Sequence, residues 1–367
     1  MLLDNIQLIN FRSYRDLSVE LPSNGCLFLG ENGSGKTNFF EAVSVCATGK
    51  SVRNAALREM VFIEEREASV LANFTDEENE AKGNICQKIN QSVGFSKNND
   101  ICISKNGVKH KTFSSLYGKN GLVYFGVDDV KTVKGVPQEK RQFIDMTISQ
   151  TNNGYLQNII EYRNLIRQRN FVINTNFDHN LIDVYDEQIS KIAVKIINER
   201  KNFFAQISPY VRDVYGKISN GDLEIELQYL PCVDCEKEEE YYEMQKRNLA
   251  KDRELKFTSM GIHRDNFEFR LPLAKLMNFG SQGQCKSAAI ALKIAAVEYL
   301  SKDNRKTIII IDDAFSDLDI SRKQKFFEIL NKNGQIFIAI HSWKELDYYP
   351  LDSYFEVKYG GMKLCRK

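Results

Sequence analysis

Residues 30–37 read Gly-Glu-Asn-Gly-Ser-Gly-Lys-Thr and match the phosphate-binding pattern G-x-x-x-x-G-K-[ST]. The apolar residues 26–29 before the octet predict a buried strand, and residues 36–48 after it carry apolar side chains at helical spacing. Strand, glycine-rich loop and helix in this order form the context in which the pattern binds phosphate. The alternative, a glycine-rich turn that binds nothing, lacks that context. The octet therefore predicts a nucleotide-binding domain of the α/β class.

The residues of this loop have separate roles in the predicted chemistry. Gly33 and Gly35 let successive backbone N–H groups curve around a phosphate chain, and the helix N-terminus adds the positive end of its dipole. We expect Lys36 to reach the β- and γ-phosphates of ATP and the Thr37 hydroxyl to hold a magnesium ion. The predicted nucleotide-binding set is Gly30, Glu31, Asn32, Gly33, Ser34, Gly35, Lys36 and Thr37.

Composition sets limits on the rest of the chain. Its 367 residues suffice for one large or two moderate domains, and 43% hydrophobic with 27% charged residues is typical of a soluble globular protein. Lys plus Arg is 50 against Asp plus Glu 49, so binding to nucleic acid would need a local basic surface. No run approaches the ~18 apolar residues of a membrane span, and no signal peptide is visible. We expect a cytoplasmic protein with no membrane partner.

The eight cysteines are scattered, mostly in apolar segments, as is typical of buried free thiols in a reducing cytosol. Cys232 and Cys235 form one C-x-x-C pattern, which zinc or redox sites use. Because no second pair lies at zinc-ribbon spacing, a metal there would have to bridge two chains. Whether the pair binds metal stays open at this point.

Apolar periodicity divides the chain into a strand-rich start, a helical middle and an alternating end. Strands are predicted at residues 2–11, 17–21, 67–75, 83–90, 100–105, 223–230, 307–311 and 335–340. Helices are predicted within 137–219, with a break near 174–179, and at 236–256, 287–300 and 319–331. The alternation at the end of the chain implies a parallel sheet with both faces covered.

The phosphate-binding loop lies near one end of the chain and the predicted parallel sheet at the other. The simplest architecture is one α/β head built from residues 1–120 and 257–367, with an antiparallel β layer beside the nucleotide. Residues 121–256 would then form an inserted, mainly helical arm.

Two carboxylates follow the apolar strand 308–311. A carboxylate at a strand end beside a phosphate loop can hold magnesium, and we assign that role to Asp312. Asp313 is then placed to polarise the attacking water as a general base. For this segment alone, a strand ending in a solvated turn is the competing interpretation. His341 follows the strand 336–340, at the same edge as Asp312 if the two strands are parallel, and is a candidate γ-phosphate contact.

A second anion-binding site is predicted at Ser281-Gln282-Gly283-Gln284, which opens the helix expected to start near Lys286. A serine hydroxyl and free N–H groups at a helix N-terminus attract anions. An ordinary helix cap explains the same residues, so that interpretation remains open.

The chain resembles ATPases of the ABC type in the order of its motifs. These are the glycine loop, Ser-Gln-Gly-Gln, the Asp-Asp strand, Ser316-Asp317-Leu318-Asp319 and the histidine. The resemblance implies that turn 281–284 of one subunit contacts the γ-phosphate held by a second, and it adds Asp319 to the nucleotide site. The opening Asn10-Phe11-Arg12-Ser13-Tyr14 is similar to the start of SMC and RecF proteins. In that branch the arginine matched by Arg12 lies near the nucleotide.

Four further segments, at residues 48–53, 128–137, 140–145 and 261–266, resemble the RecF family, and the chain is too short for an SMC coiled coil. The resemblance implies an ABC-type ATPase head with a helical arm, a weak DNA-stimulated ATPase that needs ATP and Mg²⁺, and an ATP-dependent homodimer. It implies that the dimer clamps DNA at double-strand to single-strand junctions, associated with the nucleoid. With RecO and RecR it would promote RecA loading in DNA repair, recombination and replication.

The chain departs from the family pattern at several positions. Val127 stands where RecF proteins commonly have proline, and Ile262 replaces the proline before His263. Asp313 stands where most ABC ATPases have glutamate. RecF proteins share this aspartate, and its shorter reach predicts slow turnover. No glutamine near residues 125–130 matches the water-positioning loop of ABC ATPases.

The DNA-binding surface is not decided by the sequence. Two basic runs could contact phosphates; they consist of Lys131, Lys134, Lys140 and Arg141, and of Arg163, Arg167 and Arg169. Solvated helix faces are the competing interpretation. Two other functions also stay open: the ATPase subunit of a membrane transporter, and an SMC-like tether bridged by zinc at Cys232 and Cys235.

Overall fold

The fold was obtained as a computed structural model that describes residues 1–76, 87–117, 121–175, 177–219, 224–302, 305–315, 320–330 and 334–367. The chain forms two compact units. The terminal unit comprises Met1–Asp129 and Ala296–Lys367, and the middle unit comprises Val130–Ala295.

The secondary structure is mixed. Its strands are β1 (Leu2–Phe11), β2 (Tyr14–Glu20), β3 (Gly25–Leu29), β4 (Glu67–Asp76), β5 (Gln87–Ser96), β6 (Ile101–Lys105), β7 (Val108–His110), β8 (Gly121–Gly126), β9 (Glu226–Leu230), β10 (Asn266–Leu271), β11 (Ala274–Lys275), β12 (Thr307–Asp312), β13 (Gly334–Ile340), β14 (Ser353–Lys358) and β15 (Gly361–Arg366). The helices are α1 (Lys36–Thr48), α2 (Lys131–Lys134), α3 (Pro137–Ser149), α4 (Asn153–Asn174), α5 (His179–Ile218), α6 (Glu238–Leu255), α7 (Leu276–Phe279), α8 (Gln282–Leu300) and α9 (Ile320–Leu330).

The central sheet of the terminal unit has the strand order β15-β14-β3-β13-β12-β8. Strands β14, β3, β13, β12 and β8 pair in parallel, and only β15 is antiparallel to its neighbour. Strands β3, β12 and β13 are buried along their whole length, which explains their nearly continuous apolar sequences. The predicted parallel sheet is confirmed. Its geometry brings the ends of β3, β12 and β13 to one edge, where the candidate residues begin.

A second sheet of the terminal unit is antiparallel, with the order β2-β1-β4-β5-β6-β7. Its presence agrees with the expected antiparallel layer, but one strand extends beyond its expected end. Strand β5 continues to Ser96, past the expected end at residue 90, and residues 83–86 of the prediction lie outside the described residues. Ser96 pairs with Glu67 of β4, and local alternation does not reveal such a register.

Helix α1 is buried on almost every side in the terminal unit. The ring of Phe28 on β3 packs against Phe39 and Phe40 of this helix at centroid distances of 5.0 Å, and against Phe337 and Phe355 of the neighbouring strands. Aromatic packing of this kind fixes the helix on the sheet. The loop between β3 and α1 therefore has rigid supports at both ends.

The middle unit is mainly helical, as expected. The predicted break near residues 174–179 separates α4 from α5, whose N-cap Asp178 accepts hydrogen bonds from Asn180 N and Leu181 N. The predicted strand near 223–230 is β9, which pairs with β10 in a three-stranded antiparallel sheet with β11. The predicted helix at 236–256 is α6.

Arg169 and Lys140, taken from the two basic runs, are internal. Arg169 is fully buried, with its Nε 2.6 Å from Asp186 Oδ1 and its Nη1 2.8 Å from Asp252 Oδ2. Lys140 is also buried and donates to the carbonyl of Phe267 at 3.3 Å. Neither side chain is free to meet DNA, because each is committed to contacts inside the middle unit.

The compact units divide the chain at other points than the expected head and arm. Strand β8 at residues 121–126 pairs with β12 in the central sheet, and residues 257–295 belong to the middle unit. Strand pairing between distant segments decides both assignments. Which segments fold independently stays a prediction.

Candidate functional site at the end of the central sheet

The loop between β3 and α1 has the backbone that its glycines permit. Gly33 has φ 81° and Gly35, the N-cap of α1, has φ 115°, in the left-handed region that favours glycine. A Cβ atom at Gly35 would lie 2.7 Å from the Tyr14 hydroxyl oxygen. The predicted strand, loop and helix are therefore confirmed, with α1 starting at Lys36.

Lys36 lies across its own loop. Its Nζ atom is 2.5 Å from the carbonyl oxygen of Gly30 and 3.0 Å from that of Glu31. Burial lowers the pKa of Lys36, and the negative charge of Asp313 partly opposes that shift. The ammonium group is thus held at the carboxyl edge of the sheet, within reach of any anion bound by the loop.

Asp312 ends β12 and is buried. Its Oδ2 accepts a hydrogen bond from the Tyr124 hydroxyl at 3.0 Å, whereas its Oδ1 is buried without a hydrogen-bond partner. Burial raises the pKa of Asp312, and the hydroxyl of Thr37 opposes the shift. A buried acceptor without a partner costs free energy, which a bound cation would recover.

Asp312 and Thr37 therefore fit a magnesium ion that takes its other ligands from phosphate and water oxygens. Among the residues that the structure describes, no group of three or more His, Cys, Asp or Glu side chains could hold a metal by itself.

Tyr124 is a site residue that the sequence did not point to. It lies on β8, and a Cβ atom at Gly126 would meet its ring carbon Cε1 at 2.6 Å. Glycine at 126 is therefore needed for the ring position that brings the hydroxyl to Asp312. A signal existed in retrospect: Tyr124 is the one side chain with a hydrogen-bonding group in strand Gly121–Gly126.

Asp313 and His341 contact each other. Strands β12 and β13 run parallel, as expected, and His341 Nε2 is hydrogen-bonded to Asp313 Oδ1. Nδ1 of the same ring lies 3.4 Å from Nζ of Lys36. Since an ammonium group can only donate, this pattern assigns a neutral imidazole whose Nε2–H donates to Asp313. Asp313 has φ 58°, a left-handed conformation that aspartate tolerates better than most residues.

The guanidinium of Arg12 is engaged within the terminal unit. Its Nε and Nη2 lie 2.8 and 3.1 Å from the two carboxylate oxygens of Glu41 on α1, and its Nη1 donates to the carbonyl of Glu59 at 2.8 Å. Glu41 is fully buried. Arg12 therefore anchors α1, and its contact with a nucleotide stays a prediction.

Arg53 supplies a positive charge beside the aspartate site. Its exposed guanidinium donates to Asn38 Oδ1 at 3.4 Å, and its charge lowers the pKa values of Asp312 and Tyr124 against the effect of burial. Arg53 lies in the segment 48–53, for which the sequence suggested no role. Only the fold shows that this charge faces the end of β12.

The turn 281–284 is a capping box in the middle unit. The Ser281 N–H donates to Gln284 Oε1 at 2.8 Å, and the Gln284 N–H donates to Ser281 Oγ at 3.2 Å. Helix α8 accordingly starts at Gln282, earlier than the expected Lys286. The interpretation as a helix cap is thus correct for the isolated chain. A contact of Ser281, Gln282, Gly283 or Gln284 with a nucleotide stays a prediction.

Asp319, the remaining predicted contact, lies outside the described residues. A cleft of about 730 Å³ adjoins the phosphate loop and is also lined by His341, Trp343 and residues 356–359. The larger groove, of about 1120 Å³, belongs to the middle unit and contains none of the candidate residues. Cleft size therefore does not identify this site; its chemistry does.

Two further observations concern hydrophobic helices and the C-x-x-C pattern. Within the described ranges no helix is long and apolar enough to cross a membrane. Cys232 is exposed and Cys235 is buried, so the two thiols do not form a matched surface pair. A metal shared between two chains at this pattern stays untested.

The sequence is similar to one family of known proteins. The family model of the RecF/RecN/SMC N-terminal domain matches residues 2–357. The DNA replication and repair protein RecF of Clostridium beijerinckii is 31% identical over 354 residues, covering 95% of this chain and 94% of the relative. RecF of Clostridium botulinum strain Langeland is 32% identical over 356 residues, with 95% of each covered.

Solved structures agree at the level of the fold. The ATP complex of the recombination mediator protein RecF in the RecFOR pathway aligns with a TM-score of 0.88 at 24% identity, covering 99% of this chain and 97% of that one. An SMC head bound to the winged-helix domain of ScpA aligns with a TM-score of 0.60 at 16% identity. The predicted ABC-type ATPase head is confirmed by these likenesses.

Proposed function

The chain belongs to the RecF family, within the wider family of RecF, RecN and SMC N-terminal domains, and we propose that it is an ATP-dependent, DNA-binding recombination mediator. In this proposal ATP joins two copies into a dimer that clamps DNA, and slow hydrolysis releases it. The protein acts in DNA repair, recombination and replication.

One observation supports the nucleotide chemistry most directly. The phosphate loop, the buried Asp312 with an oxygen that lacks a partner, and the Asp313–His341 pair all lie at one edge of the central sheet. This is the edge at which parallel α/β sheets bind ligands. The groups are those that ATP hydrolysis requires: N–H donors, a lysine, a magnesium ligand and a base.

The residues at this edge of the sheet have separate tasks in the proposed reaction. Magnesium held by Thr37 and Asp312 would neutralise charge on the β- and γ-phosphates. Lys36 would exchange its loop carbonyls for the same phosphates. Asp313 would accept a proton from the attacking water while the Nε2–H of His341 keeps its carboxylate in place. Because aspartate reaches one methylene less far than glutamate, this step would be slow.

The dimer arises because each copy holds only part of the nucleotide site. Turn 281–284 is the N-terminus of the 19-residue helix α8, where N–H groups and the helix dipole favour an anion. In the proposed dimer this turn of a second copy closes over the γ-phosphate. ATP thus favours the closed dimer, and its hydrolysis removes that preference.

Family membership supports a proposal for the DNA and protein partners. We infer that the closed dimer binds duplex DNA and double-strand to single-strand junctions, and that DNA stimulates its weak ATPase. With RecO and RecR it would promote the loading of RecA at gaps, in the cytoplasm and in association with the nucleoid.

Sedimentation of the full chain with and without ATP and magnesium tests the proposal. We expect a monomer without ATP and a dimer with it. Lys36→Ala would remain monomeric because it loses the phosphate contact. Ser281→Arg would bind nucleotide as the unaltered chain does but would not dimerise, because a bulky cation blocks the closing turn. A dimer that forms equally in both variants would refute the shared site.

A further inference from the structure

The outer face of α4 and the segments beside it carry arginines that the proposed function does not yet use. Arg163 Nη2 lies 3.0 Å from Asp145 Oδ2, and Arg141 Nη1 donates to the carbonyl oxygen of Asp265 at 2.8 Å. Arg264 is the residue before Asp265 and is exposed. Arg163 thus contacts the carboxylate of Asp145, while Arg141 and Arg264 lie beside the main chain of Asp265.

The two aspartates are already neutralised from inside. The fully buried Arg200 contacts Asp145 Oδ1 at 2.8 Å and Asp265 Oδ2 at 2.6 Å. The two carboxylates are therefore shared with a cation inside the unit and are not reserved for the exposed arginines. Burial lowers the pKa of Arg141, and the charges of Arg200 and Arg264 add to the shift while Asp265 and Asp145 oppose it.

Aromatic rings adjoin these cations. The Arg264 guanidinium lies 5.1 Å from the ring centroid of Phe257, which is 38% exposed. Phe171 on α4 is 68% exposed and follows Arg167 by one helical turn. Asn174 Nδ2 donates to the carbonyl oxygen of Lys256 at 2.7 Å, which joins the end of α4 to the segment carrying Phe257.

These residues form a continuous surface, which we call the arginine face. It consists of Arg141, Arg163, Arg167, Lys256 and Arg264 with the rings of Phe171 and Phe257.

An ordinary solvated helix face looks different in this same protein. On α5, Lys191 pairs with Glu187 and Lys217 pairs with Asp213, each one helical turn apart. On the arginine face, Arg167 instead contacts the amide oxygen of Asn164. The carboxylates beside Arg141 and Arg163 also form ion pairs with Arg200. The contrast indicates a surface that is completed by an external anion.

We propose that the arginine face binds the phosphodiester backbone of DNA; this inference rests on the proposed DNA-binding function and names its contact surface. Guanidinium groups match phosphate oxygens with two parallel hydrogen bonds. Phosphate contacts by arginine release counterions and supply most of the affinity. The exposed phenylalanines offer stacking partners to unpaired bases at a junction.

The test measures DNA binding by the full chain with ATP and magnesium, from 50 to 300 mM salt. Fluorescence anisotropy of labelled duplex and labelled single-stranded DNA distinguishes the two sources of phosphodiester. The double variant Arg163→Gln/Arg264→Gln is compared with Lys191→Gln/Lys217→Gln, which removes the same charge from the paired face of α5. We expect affinity to fall at least tenfold in the first variant, with a salt slope smaller by about two, and less than twofold in the control.

A second variant tests the same surface without altering the ion pairs of Arg200. Arg167→Glu lies away from the Arg200 pairs and should also lower DNA affinity about tenfold. Binding of a fluorescent ATP analogue should stay unchanged in every variant. If the unaltered chain binds DNA and these variants bind it as the control does, the arginine face is refuted while the proposed function stands. If the unaltered chain binds neither duplex nor single-stranded DNA in the presence of ATP, the proposed function itself fails, and this inference fails with it.

Discussion

Buried charge is treated in opposite ways at the phosphate loop and inside the middle unit. In the middle unit Arg200 is surrounded by acceptors, two of them carboxylates, and Arg169 likewise bridges Asp186 and Asp252. At the end of the central sheet, Asp312 keeps one oxygen without a partner and has a raised pKa because of its burial. The first arrangement is complete by itself, and the second is suited to be completed by a ligand.

Residue type alone therefore does not separate structure from function. Arginines on α4 and α5 are as conspicuous in the sequence as the aspartates that follow β12. Only the pairing state distinguishes them, since a satisfied ion pair stabilises one fold whereas an unsatisfied acceptor costs stability until something binds.

The largest effect is expected for Arg200→Ala. It leaves Asp145 and Asp265 buried without their main counter-charge, and loss of one partner from a buried pair costs about 3–5 kcal/mol of unfolding free energy. Arg163→Ala is the matched control because Arg163 contacts the same Asp145 while 60% exposed, and it should cost less than about 1 kcal/mol. If both variants lose the same unfolding free energy in urea, buried and exposed ion pairs of Asp145 do not differ as described.

A smaller effect is expected from pH at His263, also in the middle unit. Burial lowers the pKa of His263 from 6.5 to about 4; its Nδ1 is hydrogen-bonded to the Tyr162 hydroxyl, and Arg264 and Arg141 add to the shift. Between these values the unfolded chain binds more protons than the folded one. Stability from the neutral histidine is therefore complete above about pH 6.5 and is lost as pH falls towards 4, by about 2 kcal/mol at pH 4.5.

Urea unfolding at pH 7 and pH 4.5 measures this loss. His263→Gln does not titrate, so its stability should fall by about 2 kcal/mol less than that of the unaltered chain over the same interval. Parallel decreases in both proteins would show that His263 titrates normally and is not part of the closed middle-unit network.

The smallest effect is expected at the phosphate loop, for Tyr124→Phe. The change removes the hydrogen bond to Asp312 Oδ2 and frees the carboxylate to rotate. Partners that orient a metal ligand typically contribute about tenfold or more to metal affinity, so ATP binding with magnesium should weaken about tenfold. Binding measured with a chelator present is the internal control and should not change. An equal loss in both conditions would mean that Tyr124 acts on the loop rather than on the magnesium ligand.

Much of the fold could be predicted because the signals are local. Helix α1 starts and ends where the glycine loop and the apolar spacing indicated, and β12 and β13 follow their apolar runs closely. The start of α8 was missed although its signature was present: serine followed three residues later by glutamine is a capping box. The end of β5 at Ser96 was missed because the length of a strand depends on its pairing with the partner strand.

The side-chain environment was less predictable because its partners are remote in sequence. Arg169 meets Asp252 across 83 residues, and Tyr124 meets Asp312 across 188. A basic run on a helix does not show which of its members points inward. The positions of Arg12 on Glu41 and of Arg53 beside the aspartate site likewise follow from packing alone.

The sequence by itself determined the nucleotide chemistry of this chain, since an eight-residue loop with its flanking strand and helix carries nearly all the donors that a phosphate needs. Only the tertiary structure decided which charged residues remain for binding. Burial and pairing are properties of residues brought together from distant segments, and the free energy of a charge depends on those neighbours rather than on its position along the chain.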